Sequence, residues 1–358
     1  LRFSNGLQHP WDYLRFIRNS PSPSTAEGRG EGDGTWRPAA GTFDGWPKKA
    51  AELKVLDPCC GSGHFLVAVF LCLVALRMAE ESLSAKEACN AVLRDNIFGL
   101  EIDERCTQIA AFALALAAWK YPAAGGYRLL SELNVACSGL AISAKKEDWL
   151  TLAGENTNLR LLLEELHKQF KDAPLLGSLI NPEASLREGS LFELKEDDVR
   201  PLLIKALASE KNDEKTEMGV VAQGVTKVAS ILGHKYNLII TNFPFIGTRK
   251  QDTVLRDYSE KLHQNAKHDL ATCLIDRCIK LLQKKGTLSF VSPHNWLFLG
   301  AYRSFRIDLI KLNKWNFVAF LGSKSFQTPM YDFSIALTVI TNNEMSEHDW
   351  LRGLNVEA

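Results

Sequence analysis

Three short segments of this 358-residue chain hold residue types whose spacing suits chemistry. The first is Val55-Leu56-Asp57-Pro58-Cys59-Cys60-Gly61-Ser62-Gly63-His64-Phe65-Leu66, an apolar strand that enters a glycine turn and then a helix. Such a turn is needed where backbone must approach a ligand closely, because a side chain at Gly61 or Gly63 would occupy that space. Leu66 stands where a G-x-G-x-x-G dinucleotide fingerprint needs its last glycine, and no P-loop Gly-Lys-Ser/Thr ending is present. Asp57, at the strand end, suits the ammonium of an amino acid better than a phosphate. The plain alternative is a tight strand–helix turn with no ligand.

The second segment is Phe98-Gly99-Leu100-Glu101-Ile102-Asp103. Glu101 ends a strand, where a carboxylate can accept both hydroxyls of a ribose, and Ile102 would then lie against an adenine ring. Asp103 reads first as a helix N-cap. A surface role for Glu101 is the competing reading.

The third is Tyr236-Asn237-Leu238-Ile239-Ile240-Thr241-Asn242-Phe243-Pro244-Phe245. An exocyclic amine is a poor nucleophile because its lone pair is delocalised into the ring. The Asn242 side-chain oxygen and a backbone carbonyl of Phe243–Pro244 would accept its two hydrogens and aim the lone pair at a methyl donor. Phe245 would stack on the base, which must leave the duplex to be reached. Alone, the turn is also compatible with a Pro-stiffened loop.

Elements that alternate between strand and helix must position these turns. Strands are predicted at Leu53–Asp57, Ile97–Ile102, Tyr236–Thr241, Thr287–Ser292, Phe317–Leu321 and Ile335–Ile340. Helices are predicted at His64–Glu81, Ser84–Arg94 with a Ser84/Glu87 capping box, Glu104–Lys120, Leu270–Gln283 and Tyr302–Leu312. On the third of these, Ile109, Ala113, Leu116 and Ala117 are expected to share the buried face. The middle, 121–233, is less regular, with helices near Leu159–Lys171 and Val220–Leu232 and a charged loop at Ser209–Glu217. A short helix is expected around Trp11–Ile17, followed by a Ser/Pro/Gly-rich loop over 20–47, with order starting near Trp46-Pro47. The pattern implies an α/β fold with a mainly parallel sheet covered on both faces.

Lys+Arg and Asp+Glu both number 42, which argues against a dedicated nucleic-acid-binding module but not against a catalytic domain touching DNA over a small patch. The eight cysteines form no CxxC pair and no zinc spacing, so no metal site is expected. Reduced thiols and no signal peptide point to the cytoplasm. The apolar run Phe65–Leu76 is too short to span a bilayer. The chain begins at Leu1 and reads as an excerpt of a longer one.

Asp57-Pro58-x-x-Gly61-Ser62-Gly63-x-Phe65, then Gly99-Leu100-Glu101, then Asn242-x-Pro244-Phe245 resembles the amino-methyltransferases with D-P-x-x-G-S-G-x-F and N-P-P-[YF] motifs. The motif order resembles their γ class. The stretch from Asp269-Leu270-Ala271 to Gly286, with Asn295-Trp296-Leu297-Phe298-Leu299, resembles large restriction-type and phage-defence (BREX, PglX-like) adenine methyltransferases. The resemblance covers about 47–342. It implies a Rossmann-like class I fold, with a seven-stranded sheet whose last strand is antiparallel, plus helical insertions. It also implies S-adenosylmethionine as cofactor, held by Asp57, Pro58, Cys59, Gly61, Gly63, Phe65, Glu101 and Ile102. Asn242, Phe243, Pro244 and Phe245 would be catalytic, methylating adenine N6 in double-stranded DNA.

Phe243 replaces the family's proline, which predicts a less rigid turn. The family's Gly-Asp-x-Leu motif corresponds to Gly189-Ser190-Leu191-Phe192, placing Ser190 and Leu191 at the cofactor, and the N-terminal F-x-T-P-type motif is not visible. Gly247-Thr248-Arg249-Lys250-Gln251 would grip phosphates or form a solvated loop. Arg303 and Arg306 read as surface residues. The expected organisation is an N-terminal segment at 1–47, a catalytic domain at 48–342 with an insertion near 121–233, and a linker at 343–358. That linker would lead to a target-recognition region outside the chain. Other phage-defence proteins are possible partners, and no membrane is involved. The same site acting on protein glutamine or RNA, or binding cofactor and DNA without turnover, are the alternatives.

Overall fold

A computed structural model describes residues 16–18, 36–38, 43, 45–182, 213–322, 334–347 and 349–356. The main sheet forms from strands β3 (Val55–Asp57), β4 (Ile97–Glu101), β5 (Asn134–Cys137), β6 (Tyr236–Asn242), β7 (Leu282–Pro293), β8 (Lys314–Gly322), β9 (Ile335–Thr341) and β10 (Arg352–Asn355). Its spatial order is β10-β8-β9-β7-β6-β3-β4-β5. Only β9 runs antiparallel to its neighbours. This is the class I S-adenosylmethionine-dependent methyltransferase fold. One strand more is present than the seven expected: β10, inside the segment expected to be a linker, pairs in parallel with β8 at the edge. Its four residues are all exposed, so its pairing rests on backbone hydrogen bonds that leave no side-chain pattern.

The strands that carry the three segments are apolar runs buried in the middle of this sheet. β3 is buried throughout and β4 nearly so, as parallel strands covered on both faces must be. Helices α1 (His64–Glu81), α2 (Ala85–Asp95) and α3 (Glu104–Lys120) follow them, and the Ser84/Glu87 capping box starts α2. Arg77 of α1 is buried and clamps Glu81, Asp95 and Asn96, which fixes α1 to the α2–β4 corner. Trp46 enters the fold by donating its indole N–H to Thr287.

Four expectations need correcting. Phe16–Arg18 (β1) is a strand, paired antiparallel with Trp36–Pro38 (β2), where the end of a helix and part of a loop were expected. Phe and Ile favour a strand once a partner is present. The rest of the loop expected over 20–47, up to Thr42, lies outside the described residues.

The buried face of α3 is Ala110, Leu114 and Ala118, while Ile109 and Leu116 are exposed. The reason is close packing: a Cβ on Gly63 would stand 3.0 Å from the Ala110 backbone, so only a small residue fits there. Residues 121–233 are not all insertion, because β5 completes the sheet beside β4. The stretch after β5 holds α4 (Lys146–Leu150), α5 (Thr157–Phe170) and α6 (Ala173–Leu176), with a small core around Trp149 that Ala222 also joins. Finally, α7 (Asp213–Gly233) begins inside the charged run expected as a loop, because Asp and Glu are well placed in a helix's first turns.

The remaining α-helices among the described residues are α8 (Thr253–Leu262), α9 (Leu270–Leu281) and α10 (Arg303–Leu312). Among the described residues, no helix is long and apolar enough to cross a membrane.

Candidate active site

The strands run outward from β3 through β4 to β5 on one side and from β6 through β7, β9 and β8 to β10 on the other. The direction reverses between β3 and β6, whose carboxyl ends carry Asp57 and Asn242. A crevice at such a reversal is where open α/β sheets bind ligands. Topology thus brings together two of the three segments, and Glu101 on the other side of β3 joins them.

The glycine turn is held by main-chain bonds. The Cys60 N–H donates to the Leu100 carbonyl at 2.9 Å, and the Cys59 N–H to Asp57 Oδ1 at 3.2 Å. The Gly61 N–H donates to Glu101 Oε2 at 2.8 Å. Gly61 and Gly63 both have positive φ, +52° and +86°. They differ in what surrounds them: nothing stands within 4 Å of a Cβ on Gly61, whereas one on Gly63 would strike α3. Only Gly61 therefore leaves ligand space, and Gly63 serves helix packing. Phe65, half-buried, opens α1 beside the turn, and Pro58 is buried beneath it.

Asp57 is 1% exposed. Burial pushes its carboxyl up to about 7, opposed by the Thr241 hydroxyl and the Cys59 amide and reinforced by the Glu101 carboxylate. A buried acid with an acidic neighbour and no cation paired with it among the described residues gains from a ligand that brings one. The Cys59 thiol is pushed up by burial and by Asp57, which favours its uncharged form.

Glu101 is oriented by three amides. Besides Gly61, the Ile102 and Asp103 N–H groups donate to Oε1 at 2.8 and 3.1 Å. Oε2 accepts one of these amides and retains acceptor capacity for a further hydroxyl, whereas Oε1 already accepts two. Asp103 accepts from the Arg105 and Cys106 amides, as an N-cap does. Ile102 is 45% exposed. Behind it lie Gly139 and Gly177, where an added Cβ would approach Ile102 atoms to 2.2 and 3.2 Å.

These glycines were missed in the sequence, as was the Ser138-Gly139 turn that follows β5. Its signal is an apolar triplet, Val135-Ala136-Cys137, running into Ser-Gly, obscured by the brevity of the strand. Ser178 also belongs here: its hydroxyl donates to the Pro58 carbonyl at 2.6 Å and ties the insertion to the glycine turn. Ser190 and Leu191, the residues assigned to the third family motif, lie outside the described residues.

At the second turn Asn242 is exposed and Phe243 is 1% exposed. The Phe243 ring lies 5.5 Å from Phe290 of β7, and its N–H donates to the Val291 carbonyl at 3.2 Å. The turn expected to be loose for want of a proline is thus anchored by a buried aromatic ring. Phe245 is half-buried over the same core. Beyond it, Ile246–Thr248 is pinned to the start of α9 by Leu270 N–H to Ile246 O and Thr248 N–H to His268 O. Arg249 and Lys250 stay exposed, whereas Gln251 is buried and donates to the Ile246 carbonyl. Arg306 spends its guanidinium on the Trp296 and Leu299 carbonyls, both at 2.7 Å.

Residues 95–326, well over half the chain, match the family described as Eco57I restriction-modification methylase. Residues 41–135 match the MmeI DNA-methyltransferase domain. Among curated proteins, the chain is 25% identical over 296 residues to the adenine-specific methyltransferase BrxX of Escherichia coli O9:H4, covering 77% of this chain and 24% of that protein. It is 24% identical over 287 residues to the adenine-specific methyltransferase PglX of Lacticaseibacillus casei, covering 78% and 23%. The chain therefore spans about a quarter of the length of these relatives. Among solved structures, a nuclease-deletion mutant of the Type ISP restriction-modification enzyme LlaGI, in complex with a DNA substrate mimic, aligns with a TM-score of 0.50 at 14% identity. That alignment covers 89% of this chain and 22% of the other.

Proposed function

We propose, from a chain that belongs to the Eco57I restriction-modification methylase family, that its site transfers a methyl group from S-adenosylmethionine to the N6 amine of an adenine turned out of double-stranded DNA. The observation that carries this reading is the parallel pairing of β3 with β6 where the strand order reverses, which brings together the strand ends that carry Asp57 and Asn242. The donor set fits the cofactor. Asp57 is a buried acid with no paired cation among the described residues, Gly61 leaves open space, and Glu101 is held with acceptor capacity to spare on Oε2.

In this reading Asp57 pairs with the ammonium of the methionine end. Glu101 accepts the ribose hydroxyls, and Ile102, with Gly139 and Gly177 behind it, meets the adenine ring. Ser190 and Leu191 remain proposed cofactor contacts, as in the sequence reading. The bound cofactor supplies an electrophilic methyl group. The Asn242 side-chain oxygen and the Phe243 carbonyl accept the two N6 hydrogens, which frees the nitrogen lone pair. Pro244 keeps that carbonyl turned outward, and Phe245 stacks on the base. No covalent intermediate on the protein is needed, so catalysis is positioning and electrostatics.

The biological setting proposed is restriction-modification or phage defence, with sequence selection by a target-recognition region outside these residues. The test is transfer of labelled methyl to DNA by the intact polypeptide, with RNA and glutamine-containing peptides as competing acceptors. Methyladenine is expected with the wild type, and Asn242→Ala should lower the rate by about 10²–10³-fold while leaving cofactor affinity unchanged. Equal rates for the two proteins, or label only in RNA or peptide, overturn the reading.

A further inference from the structure

The Asn295-Trp296-Leu297-Phe298-Leu299 segment has no part in the chemistry derived above, yet it stands at the same end of the sheet. β7 runs beside β6 with Val291 opposite Asn242, and the segment follows after Ser292-Pro293-His294. Phe298 and Leu299 are 59% and 52% exposed. Two large apolar side chains side by side in water at a strand's carboxyl end are costly unless something covers them.

Their backbone is held rigidly. Trp296 is buried, donates to Ser292 at 2.9 Å and packs on Phe305 and Trp315. Arg306 grips the carbonyls of Trp296 and Leu299, one on each side of Phe298. The Phe298 ring rests against Phe320 at 5.4 Å and His294 at 5.5 Å, which fixes its base while leaving its outer part free. The result is a stiff apolar knuckle, not a floppy loop.

The knuckle is physically continuous with the catalytic turn. Thr248, three residues past Phe245, bonds to His268, and the His268 ring meets Tyr302 edge-on at 5.6 Å. Tyr302 follows Leu299 within a single turn of 3-10 helix. Arg249 and Lys250, which follow Thr248, and Arg303, which follows Tyr302, are exposed. Apolar residues with cations at neighbouring chain positions match a duplex, which offers stacked bases and phosphate rows.

We propose that Phe298 and Leu299 form a wedge that enters the DNA stack beside the target adenine and holds open the gap left when that base turns out. This rests on the DNA reading of the site. Turning a base out costs stacking and pairing free energy, least where the base is already unpaired. A wedge that offsets this cost matters on intact duplex and little on a duplex whose target faces an abasic site. A merely structural residue would not distinguish the two.

The experiment uses the intact polypeptide and a duplex carrying a site that the wild type methylates, in matched form and with an abasic position opposite the target adenine. Phe298→Ala is expected to slow methylation of the matched duplex by about tenfold or more and of the abasic duplex by less than about threefold. Phe298→Leu, which keeps an apolar wedge, should stay near the wild-type rate on both. Equal rates for Phe298→Ala and wild type on the matched duplex overturn the proposal. So does equal slowing on both duplexes, the outcome expected if the knuckle packs against another part of the protein. No methyladenine from the wild type on any DNA overturns the DNA reading and this inference together.

Discussion

The two turns at the centre of the sheet share one plan, an apolar strand ending in a special turn, but are built by opposite means. The Asp57–Phe65 turn is a backbone construction. Its bonds run from amides to Asp57, Leu100 and Glu101, and its glycines sit at positive φ. The Asn242–Phe245 turn has no glycine and is held from below by the Phe243 ring on Phe290. The first turn keeps space clear, and the second fixes a side chain. A surface that wraps a flexible ligand gains from main-chain donors and empty volume. A single amide oxygen that must meet a moving amine needs a stiff base.

The sharpest way to break this contrast is at Phe243. Phe243→Ala removes a ring buried in the main core and should cost about 4 kcal/mol of stability. Phe243→Pro restores the usual family residue, yet it should also destabilise by about 4 kcal/mol. It leaves the same void and removes the N–H that bonds Val291. Denaturant melts measure both, and a Phe243→Pro protein as stable as wild type would show that the ring is not the anchor.

The glycines offer the reciprocal test. Gly63→Ala meets the Ala110 backbone at 3.0 Å with φ at +86°, and backbone cannot swing aside. A loss of about 3 kcal/mol is expected. Gly61→Ala enters open space at φ +52°. It should cost only about 1 kcal/mol of stability but weaken cofactor binding about tenfold or more, read by calorimetry. Equal stability losses at the two positions would erase the distinction between a packing glycine and a ligand glycine.

Asp57 links the turn to pH. Its carboxyl is raised by burial from 3.8 to about 7, so between those values the folded protein holds a proton that the unfolded chain has released. The ligand-free protein should therefore lose stability as pH rises through that window. Binding an ammonium group favours the ionised form, so cofactor affinity should rise about tenfold per pH unit below about 7 and level off above it. Asp57→Asn should bind weakly and without that slope. A wild type whose affinity is flat from pH 5.5 to about 8 would separate Asp57 from the cofactor's ammonium.

What could be read from the sequence follows the same contrast. The strands ending at Asp57, Glu101 and Asn242 are apolar runs stopped by turn residues, and helix α1 begins and ends where its pattern says. Elements whose position depends on partners far along the chain were not legible. β5 is four residues long and starts on a polar Asn134, so its apolar triplet is too short to mark a strand by itself. The buried face of α3 was misread because apolar residues occur all round that helix, and the choice of Ala110 is made by Gly63 on another element. Ser178 reaches the Pro58 carbonyl across 120 residues of chain. The role of Phe243 was hidden for a similar reason: sequence marks a lost proline, and only packing reveals its substitute.

The smallest effect concerns Asp103, two residues past Glu101. A carboxylate so near a ribose-binding position invites assignment to the ligand, but its oxygens accept the Arg105 and Cys106 amides and the Arg105 guanidinium. Those bonds hold the carboxyl down at about 2. The Arg105 guanidinium is the largest cause, followed by its amide. Asp103→Ala should therefore act as loss of an N-cap, lowering Tm by about 2 °C in a chain of this size. Cofactor affinity should not change, because Glu101 is oriented by the backbone amide of Asp103 and not by its side chain. Asp103→Asn, which still accepts from the amides, should recover most of the stability. If Asp103→Ala instead weakened cofactor binding tenfold at unchanged Tm, the carboxylate would belong with Glu101 in the ligand's shell, and the first turn would rely on side chains more than its backbone geometry implies.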